Sequence, residues 1–114
     1  MVSLFKKFKA AFSGLGCAVK DKSVRLQLVF AAAVLVFGWI YGFSGEEWLW
    51  IISAVFIVVL CEMVNTAVER ICDLIDPHLN VKIKYIKDLS AGCVLLASLY
   101  AVVIGCMILK GVLR

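Results

Sequence analysis

Four side chains with oxygen atoms recur at helical spacing in an otherwise apolar part of the chain. They are Glu62, Asn65, Glu69 and Asp73, and we call them the acidic stripe. On an α-helix at about 100° per residue, these positions fall within an arc of roughly 80°. Acids on one face without a cation between them repel one another. A divalent metal would relieve that repulsion, because carboxylate and amide oxygens are ligands that Mg²⁺ accepts beside phosphate oxygens and water.

The acidic stripe follows directly on an apolar run, residues 48–60. An ionisable group at the centre of a spanning helix costs about 2.5 kcal/mol or more, so each such group needs a partner or a role. Glu62 is the deepest of the acids, and this position favours a role in chemistry. For Asp73 and Asp76 an alternative stays open, in which they pair with lysines of the next connection or cap a helix end.

A second candidate site is Lys87-Asp88, immediately before the last apolar run. A helix beginning there would offer free backbone N–H groups and a favourable dipole, with a lysine beside them, which suits a phosphate group. The alternative is that Asp88 caps the helix and Lys87 anchors it at the membrane interface. Taken alone, these two residues favour that alternative.

The composition indicates an all-α membrane protein. Of 114 residues, 64% are hydrophobic and 18% are charged, and the mean hydropathy is +1.04, which is not the composition of a soluble domain. Three apolar runs, 26–45, 48–69 and 89–109, are each long enough for a helix that crosses a hydrocarbon core of about 30 Å. The net charge is +4, but the basic residues do not alternate with aromatics on a polar surface, so we expect no nucleic-acid binding.

Residues 2–22 have a different pattern, in which Leu and Phe recur at three- and four-residue steps against lysines. This predicts an amphipathic helix on the cytoplasmic leaflet, with a disordered basic leader as the alternative. Ten of the 12 basic residues lie in the amino-terminal segment or between the second and third apolar runs. The positive-inside rule therefore predicts a cytoplasmic amino terminus, and the acidic stripe then opens toward the cytosol.

Together these motifs resemble a known family, the small prokaryotic lipid kinases that comprise bacterial diacylglycerol kinase and undecaprenol kinase. The chain has Glu62-Met63-Val64-Asn65-Thr66-Ala67-Val68-Glu69, then Asp73, then Lys87-Asp88. This is similar to the family's E-x-x-N-[ST]-A-[IV]-E…D…K-D signature. The spacing agrees across the whole signature, and the resemblance covers essentially the whole chain.

The resemblance implies ATP-dependent phosphorylation of a membrane lipid alcohol. Glu62 would be the general base for the lipid hydroxyl, and Asn65 would orient the reacting groups. Glu69 would bind the Mg²⁺ that accompanies ATP. The second metal ligand of the family is a glutamate before the first span, for which Asp21 is the best match here, one methylene shorter.

The same resemblance implies a nucleotide site and an assembly. Lys87 would contact the ATP phosphates, Asp88 would help complete the nucleotide site, and Asp73 would be their neighbour. The family forms homotrimers with sites between subunits, in the bacterial plasma membrane. Undecaprenol is the favoured acceptor and diacylglycerol the next. This preference rests on Glu47-Trp48-Leu49 and on the approach to the last span, residues 82–88.

Two other classes of protein remain alternatives at this point. A small multidrug-type transporter has about this length and an essential intramembrane glutamate, but such proteins resemble four-helix units with the acid in the first span. A non-enzymatic membrane subunit would leave the E-x-x-N-x-x-x-E spacing unexplained.

Overall fold

The computed structural model describes residues 2–78 and 80–114, and within them the chain is all helix and connections. The helices are α1 (Val2–Val19), α2 (Lys22–Tyr41), α3 (Gly45–Ile75) and α4 (Val81–Leu109). The predicted all-α fold is therefore confirmed. Three of these helices, α2, α3 and α4, are long and apolar enough to cross a membrane.

The helices do not end where the apolar runs end, because capping groups set their limits. α1 stops at Val19, short of the predicted residue 22, since Asp21 caps the start of α2 by accepting hydrogen bonds from the Ser23 and Val24 N–H groups. α2 ends before Gly42, whose φ of 84° is the left-handed conformation that glycine adopts easily. At about 1.5 Å per residue, the 31 residues of α3 exceed a hydrocarbon core of about 30 Å, so polar residues can extend beyond it.

The hairpin between α2 and α3 is closed by aromatic packing on a glycine. A Cβ at Gly38 would collide with the Phe43 ring and lie 2.9 Å from the Trp48 ring, so only glycine fits there. The Phe43 ring meets Trp48 edge-on at 5.3 Å and Tyr41 at 5.6 Å. These contacts hold α2 against α3, and α4 also packs along α3. α3 is therefore the central helix of the bundle.

Large apolar side chains cover the outside of the bundle instead of its interior. Trp39 and Phe56 are 84% and 72% exposed, and Phe5, Phe8 and Phe12 are exposed on α1. A soluble protein does not leave so much apolar surface in water, whereas a membrane protein presents it to lipid tails. The exposed side chains of α1 fit the predicted amphipathic helix.

An ion pair between a buried acid and a partly exposed arginine closes the hairpin end of the bundle. Glu47 is fully buried, and its Oε1 accepts hydrogen bonds from Arg114 Nη2 at 2.7 Å and Nε at 3.0 Å. Oε1 also accepts from the Ser44 N–H at 2.9 Å, within a capping box at the start of α3. Arg114 further donates to the Gly42 carbonyl at 2.6 Å and lies over the Tyr41 ring. The end of the chain after α4 is thus fastened to the α2–α3 turn.

We predict that Arg114→Ala lowers Tm more than the double variant Glu47→Gln/Arg114→Ala does. The single change leaves a buried carboxylate without its cation, whereas the double change removes both charges. Tryptophan fluorescence during thermal unfolding in detergent measures this, with the exposed residue Lys110→Ala as the control. If the loss of Tm in the double variant equals the sum of the losses in Glu47→Gln and in Arg114→Ala, the pair does not act as a unit.

Candidate active site

The acidic stripe lies on one uninterrupted helix, in the half of α3 away from the hairpin. Glu62 and Asn65 are buried, each 7% exposed, whereas Glu69 and Asp73 are exposed. From Glu62 to Glu69 the helix advances by about 10 Å. The stripe therefore runs from a buried carboxylate to solvent along one face.

Glu62 is surrounded by polar groups from two helices. The side chains of Gln27 on α2 and of Asn65 lie next to its carboxylate, and the carboxylates of Glu69 and Asp21 are close enough to act on it electrostatically. Within the described ranges, residues 2–78 and 80–114, no basic side chain forms an ion pair with Glu62. A buried acid with amide neighbours and no cation is suited to exchange a proton.

Asn65 has one satisfied and one unsatisfied side-chain atom. Its Nδ2 donates to Glu69 Oε1 at 3.1 Å. Its Oδ1 is buried and accepts no hydrogen bond from the described part of the chain. An unpartnered buried acceptor costs free energy, so Oδ1 is oriented to receive a hydroxyl donor or a cation.

Asp21 lies at the junction of α1, α2 and α3. Besides capping α2, its Oδ1 accepts from Thr66 Oγ1 at 3.4 Å, and its Oδ2 lies 3.9 Å from Arg70 Nη2. Sequence reasoning assigned no role to Thr66, Arg70 or Gln27. Thr66 and Arg70 are one helical turn apart at the edge of the acidic stripe, and this spacing could have indicated both.

The donor chemistry of Asp21 and Glu69 fits a magnesium ion that keeps other ligands. The two carboxylates come from neighbouring helices, and the unpartnered oxygen of Asn65 is a third hard donor in the same region. Over the described ranges, no three His, Cys, Asp or Glu side chains come together closely enough to hold a metal. An ion held by Asp21 and Glu69 would therefore need phosphate oxygens or water as its other ligands.

The predicted helix start at Lys87-Asp88 is wrong. α4 begins at Val81, where the Asn80 side chain caps it by accepting from the Lys82 N–H at 2.8 Å. Lys87 and Asp88 therefore lie inside the helix, where their N–H groups are already bonded to the preceding turn. Any phosphate contact from this region must come from side chains, and not from a free helix end.

Three of the sequence-predicted residues form ion pairs at this end of the bundle. Lys87 Nζ lies 2.7 Å from Asp73 Oδ1 and joins α4 to α3, and Asp88 Oδ2 pairs with Lys84 at 2.5 Å along α4. All four side chains are partly or largely exposed. The pairing of Asp73 with a lysine, one of the alternatives left open by the sequence, is thus present in the structure.

Asp76 has a local structural role in the connection between α3 and α4. Its carboxylate accepts hydrogen bonds from the His78 N–H at 2.9 Å and from Asn80 Nδ2 at 3.3 Å. These bonds hold the pKa of the Asp76 carboxyl below its usual value, with the His78 backbone contributing most. Asp76 therefore belongs to the connection and not to the acidic stripe.

The half of the membrane-type bundle away from the hairpin thus holds a buried carboxylate without a basic partner, further carboxylates and exposed lysines. Such a set of groups suits phosphoryl transfer to a lipid. The family model described as prokaryotic diacylglycerol kinase matches residues 9–109. An undecaprenol kinase from Bacillus subtilis (strain 168) is 30% identical over 105 residues, which cover 91% of this chain and 85% of that protein.

The chain belongs to the prokaryotic diacylglycerol kinase family. It is a membrane protein and a lipid kinase, an enzyme that moves a phosphoryl group from ATP to a lipid. The resemblance drawn from the acidic stripe is confirmed, and the transporter and the non-enzymatic subunit are set aside.

Proposed function

We propose that this enzyme phosphorylates the primary hydroxyl of a membrane lipid alcohol, with undecaprenol preferred and diacylglycerol second. The observation that carries the proposal is the order of the acids on α3. Glu62 is buried, while Glu69, about 10 Å further along the helix, is exposed. A lipid hydroxyl comes from the membrane and ATP comes from water. This order therefore places the buried Glu62 for the lipid hydroxyl and the exposed Glu69 for the metal that accompanies ATP.

In the proposed reaction, Glu62 takes the proton from the lipid hydroxyl as its oxygen attacks the γ-phosphorus of ATP. The new O–P bond forms while the bond to the β-phosphate oxygen breaks, and ADP leaves. Asn65 orients the reacting groups through its neighbours: its Nδ2 keeps Glu69 in place, and its unpartnered Oδ1 would bind the metal or a water on the metal. Removing the proton from the attacking oxygen is the part of the barrier that a positioned base lowers.

Glu69 and Asp21 would hold Mg²⁺, which when bound neutralises the charge of the phosphates. Lys87 would contact the phosphates after leaving Asp73, and Asp88 would complete the nucleotide site. Exposed ion pairs such as that between Lys87 and Asp73 contribute little to stability, so a phosphate can replace Asp73 at little cost.

We further propose a homotrimer in the bacterial plasma membrane with its amino terminus and active site on the cytoplasmic side. Support for the orientation comes from the distribution of basic residues. Support for self-association comes from the size of the bundle, because three spanning helices have little surface with which to enclose the membrane end of the acidic stripe. A neighbouring subunit would help to enclose it and could supply further ligands.

The choice of undecaprenol is supported by the name of the Bacillus subtilis relative and by the residues around the second and third spans. We expect measurable activity on both acceptors, because each has one primary hydroxyl at the interface and differences in apolar tails change selectivity by only about 1–3 kcal/mol. Comparing kcat/KM for undecaprenol and diacylglycerol in the same mixed micelles tests the preference. A clear preference for diacylglycerol would reverse the acceptor assignment and leave the kinase chemistry intact.

Glu62→Gln should lower kcat about a hundredfold or more, because glutamine keeps the shape of the side chain but cannot accept the proton. Lipid-dependent ADP release by the purified protein in detergent measures this. Asp76→Asn is the matched control, since Asp76 is an acid of the connection, and it should keep nearly full activity. Near-normal turnover by Glu62→Gln, with insertion and oligomer size unchanged, would refute the base assignment.

Asp21→Asn and Glu69→Gln should each raise the Mg²⁺ concentration needed for half-maximal rate. Asparagine caps a helix as well as aspartate does, so Asp21→Asn removes the charge and keeps the start of α2. The effects should not add in the double variant, because two ligands of one metal act as a unit. Titrating Mg²⁺ at fixed ATP measures the effect, and two independent losses would contradict a shared metal.

A further inference from the structure

Arg70 is a basic residue at the edge of the acidic stripe, and the proposed reaction leaves it without a role. Its Nη2 lies 3.9 Å from Asp21 Oδ2, and its side chain is 75% exposed, whereas that of Asp21 is 20% exposed. Among the ion pairs between described residues, this pair alone includes a proposed metal ligand. Arg70 is therefore the cation with which the chain itself balances Asp21.

The guanidinium of Arg70 is held loosely by its partner. A distance of 3.9 Å is too long for a hydrogen bond, so the two groups interact by charge and the N–H donors of Arg70 are not used on Asp21. The other carboxylate oxygen, Oδ1, accepts from the Ser23 and Val24 N–H groups and from Thr66 Oγ1. These bonds keep Asp21 in place, and an exposed ion pair contributes little to stability, so Arg70 can leave it at little cost.

Arg70 also lies close to the place where the phosphates of ATP are expected. It follows Glu69 directly in α3, so the two side chains project from adjacent positions of one helix turn. A cavity of about 370 Å³ lies at the junction of α1, α2 and α3, and only two of its lining residues, Asp21 and Arg70, are charged. Phosphate oxygens on a metal held by Asp21 and Glu69 would thus be near the guanidinium.

The charges of the proposed reaction require a cation at this position. Asp21 and Glu69 together carry two negative charges, as many as one Mg²⁺ neutralises, so the charge of the ATP phosphates has to be balanced by basic side chains. Lys87 is the proposed phosphate contact on α4, and Arg70 is the basic residue next to the metal ligands on α3. A planar guanidinium can donate to two phosphate oxygens at once, whereas an ammonium group acts as a point charge.

We propose that Arg70 exchanges partners during the reaction cycle: it pairs with Asp21 before the metal binds, and it donates to the phosphates of ATP afterwards. The inference rests on the proposed function, because it takes Asp21 and Glu69 as the metal ligands. Arg70 competes with a metal for Asp21, so it weakens the binding of the metal alone. Because it then binds the phosphates, it strengthens the binding of the nucleotide with the metal, and this couples the two ligands.

Arg70→Gln should therefore change two affinities in opposite directions. Binding of Mn²⁺ to the nucleotide-free protein in detergent, followed by electron paramagnetic resonance, should tighten about two- to fivefold, which is the size of an exposed ion-pair effect. The Kd for AMP-PNP, a non-hydrolysable ATP analogue, at saturating Mg²⁺ should rise about tenfold or more, because the lost bonds are charge-assisted. The KM for the lipid acceptor should not change.

Two further variants serve as controls. Arg70→Lys keeps the charge, so it should bind Mn²⁺ like the wild type and recover only part of the AMP-PNP affinity, because lysine lacks the planar fork. Lys20→Gln removes the same charge from an exposed residue next to Asp21 in the chain, and it should leave both affinities near those of the wild type. Changes in Lys20→Gln equal to those in Arg70→Gln would assign the effect to net charge and overturn the exchange.

Other outcomes for Arg70→Gln would also overturn the proposal. Weaker binding of both Mn²⁺ and AMP-PNP would mean that Arg70 only holds Asp21 in place. Unchanged AMP-PNP binding, with or without tighter Mn²⁺ binding, would remove the phosphate contact. Asp21→Asn separates this failure from failure of the proposed function: if it binds Mn²⁺ as tightly as the wild type, Asp21 is not a metal ligand, whereas weaker Mn²⁺ binding there with an unchanged Arg70→Gln refutes the role of Arg70 alone.

Discussion

The arrangement of the site depends on how a carboxylate is kept inside an apolar helical bundle, where burial costs free energy. Two amide neighbours of Glu62, Gln27 and Asn65, offset part of that cost, because they supply polar contacts without a full opposite charge. A cation there would stabilise the ionised acid and weaken it as a base. The groups around Glu62 are amides and further acids. In the proposed mechanism, the balancing positive charge would come from Mg²⁺.

The two buried acids of α3 show how differently one side-chain type can be used. Glu47 is neutralised by Arg114 and by the capping box, and its contacts join three parts of the chain. Such a pair joins the end of the chain to one arrangement of the helices. Glu62, in the other half of the helix, lacks a comparable partner in the described residues, and this contrast is the reason for proposing it as the reactive acid.

Sequence reasoning predicted the features that repeat along one helix. The acidic stripe and the three long apolar helices follow from periodicity and hydropathy, which are local properties. It missed contacts between residues far apart in the chain, such as Arg114 with Glu47, because nothing local marks them. The start of α4 was misplaced because hydropathy detects the apolar part of a helix, whereas the Asn80 cap begins it earlier in polar sequence.

The placement of the site on helices, instead of loops, has a mechanical consequence. Asp21 fixes the start of α2 through its cap and contacts α3 through Thr66, so a metal bound by Asp21 and Glu69 would be held between two rigid elements. Lys87 and Asp73 are joined only by an exposed ion pair that a phosphate can replace. In the proposed mechanism, the base and the metal ligands would therefore be preorganised, while the nucleotide contacts could rearrange. This division suits a lipid kinase, because its nucleotide must enter and leave in every turnover whereas its catalytic groups must keep their geometry.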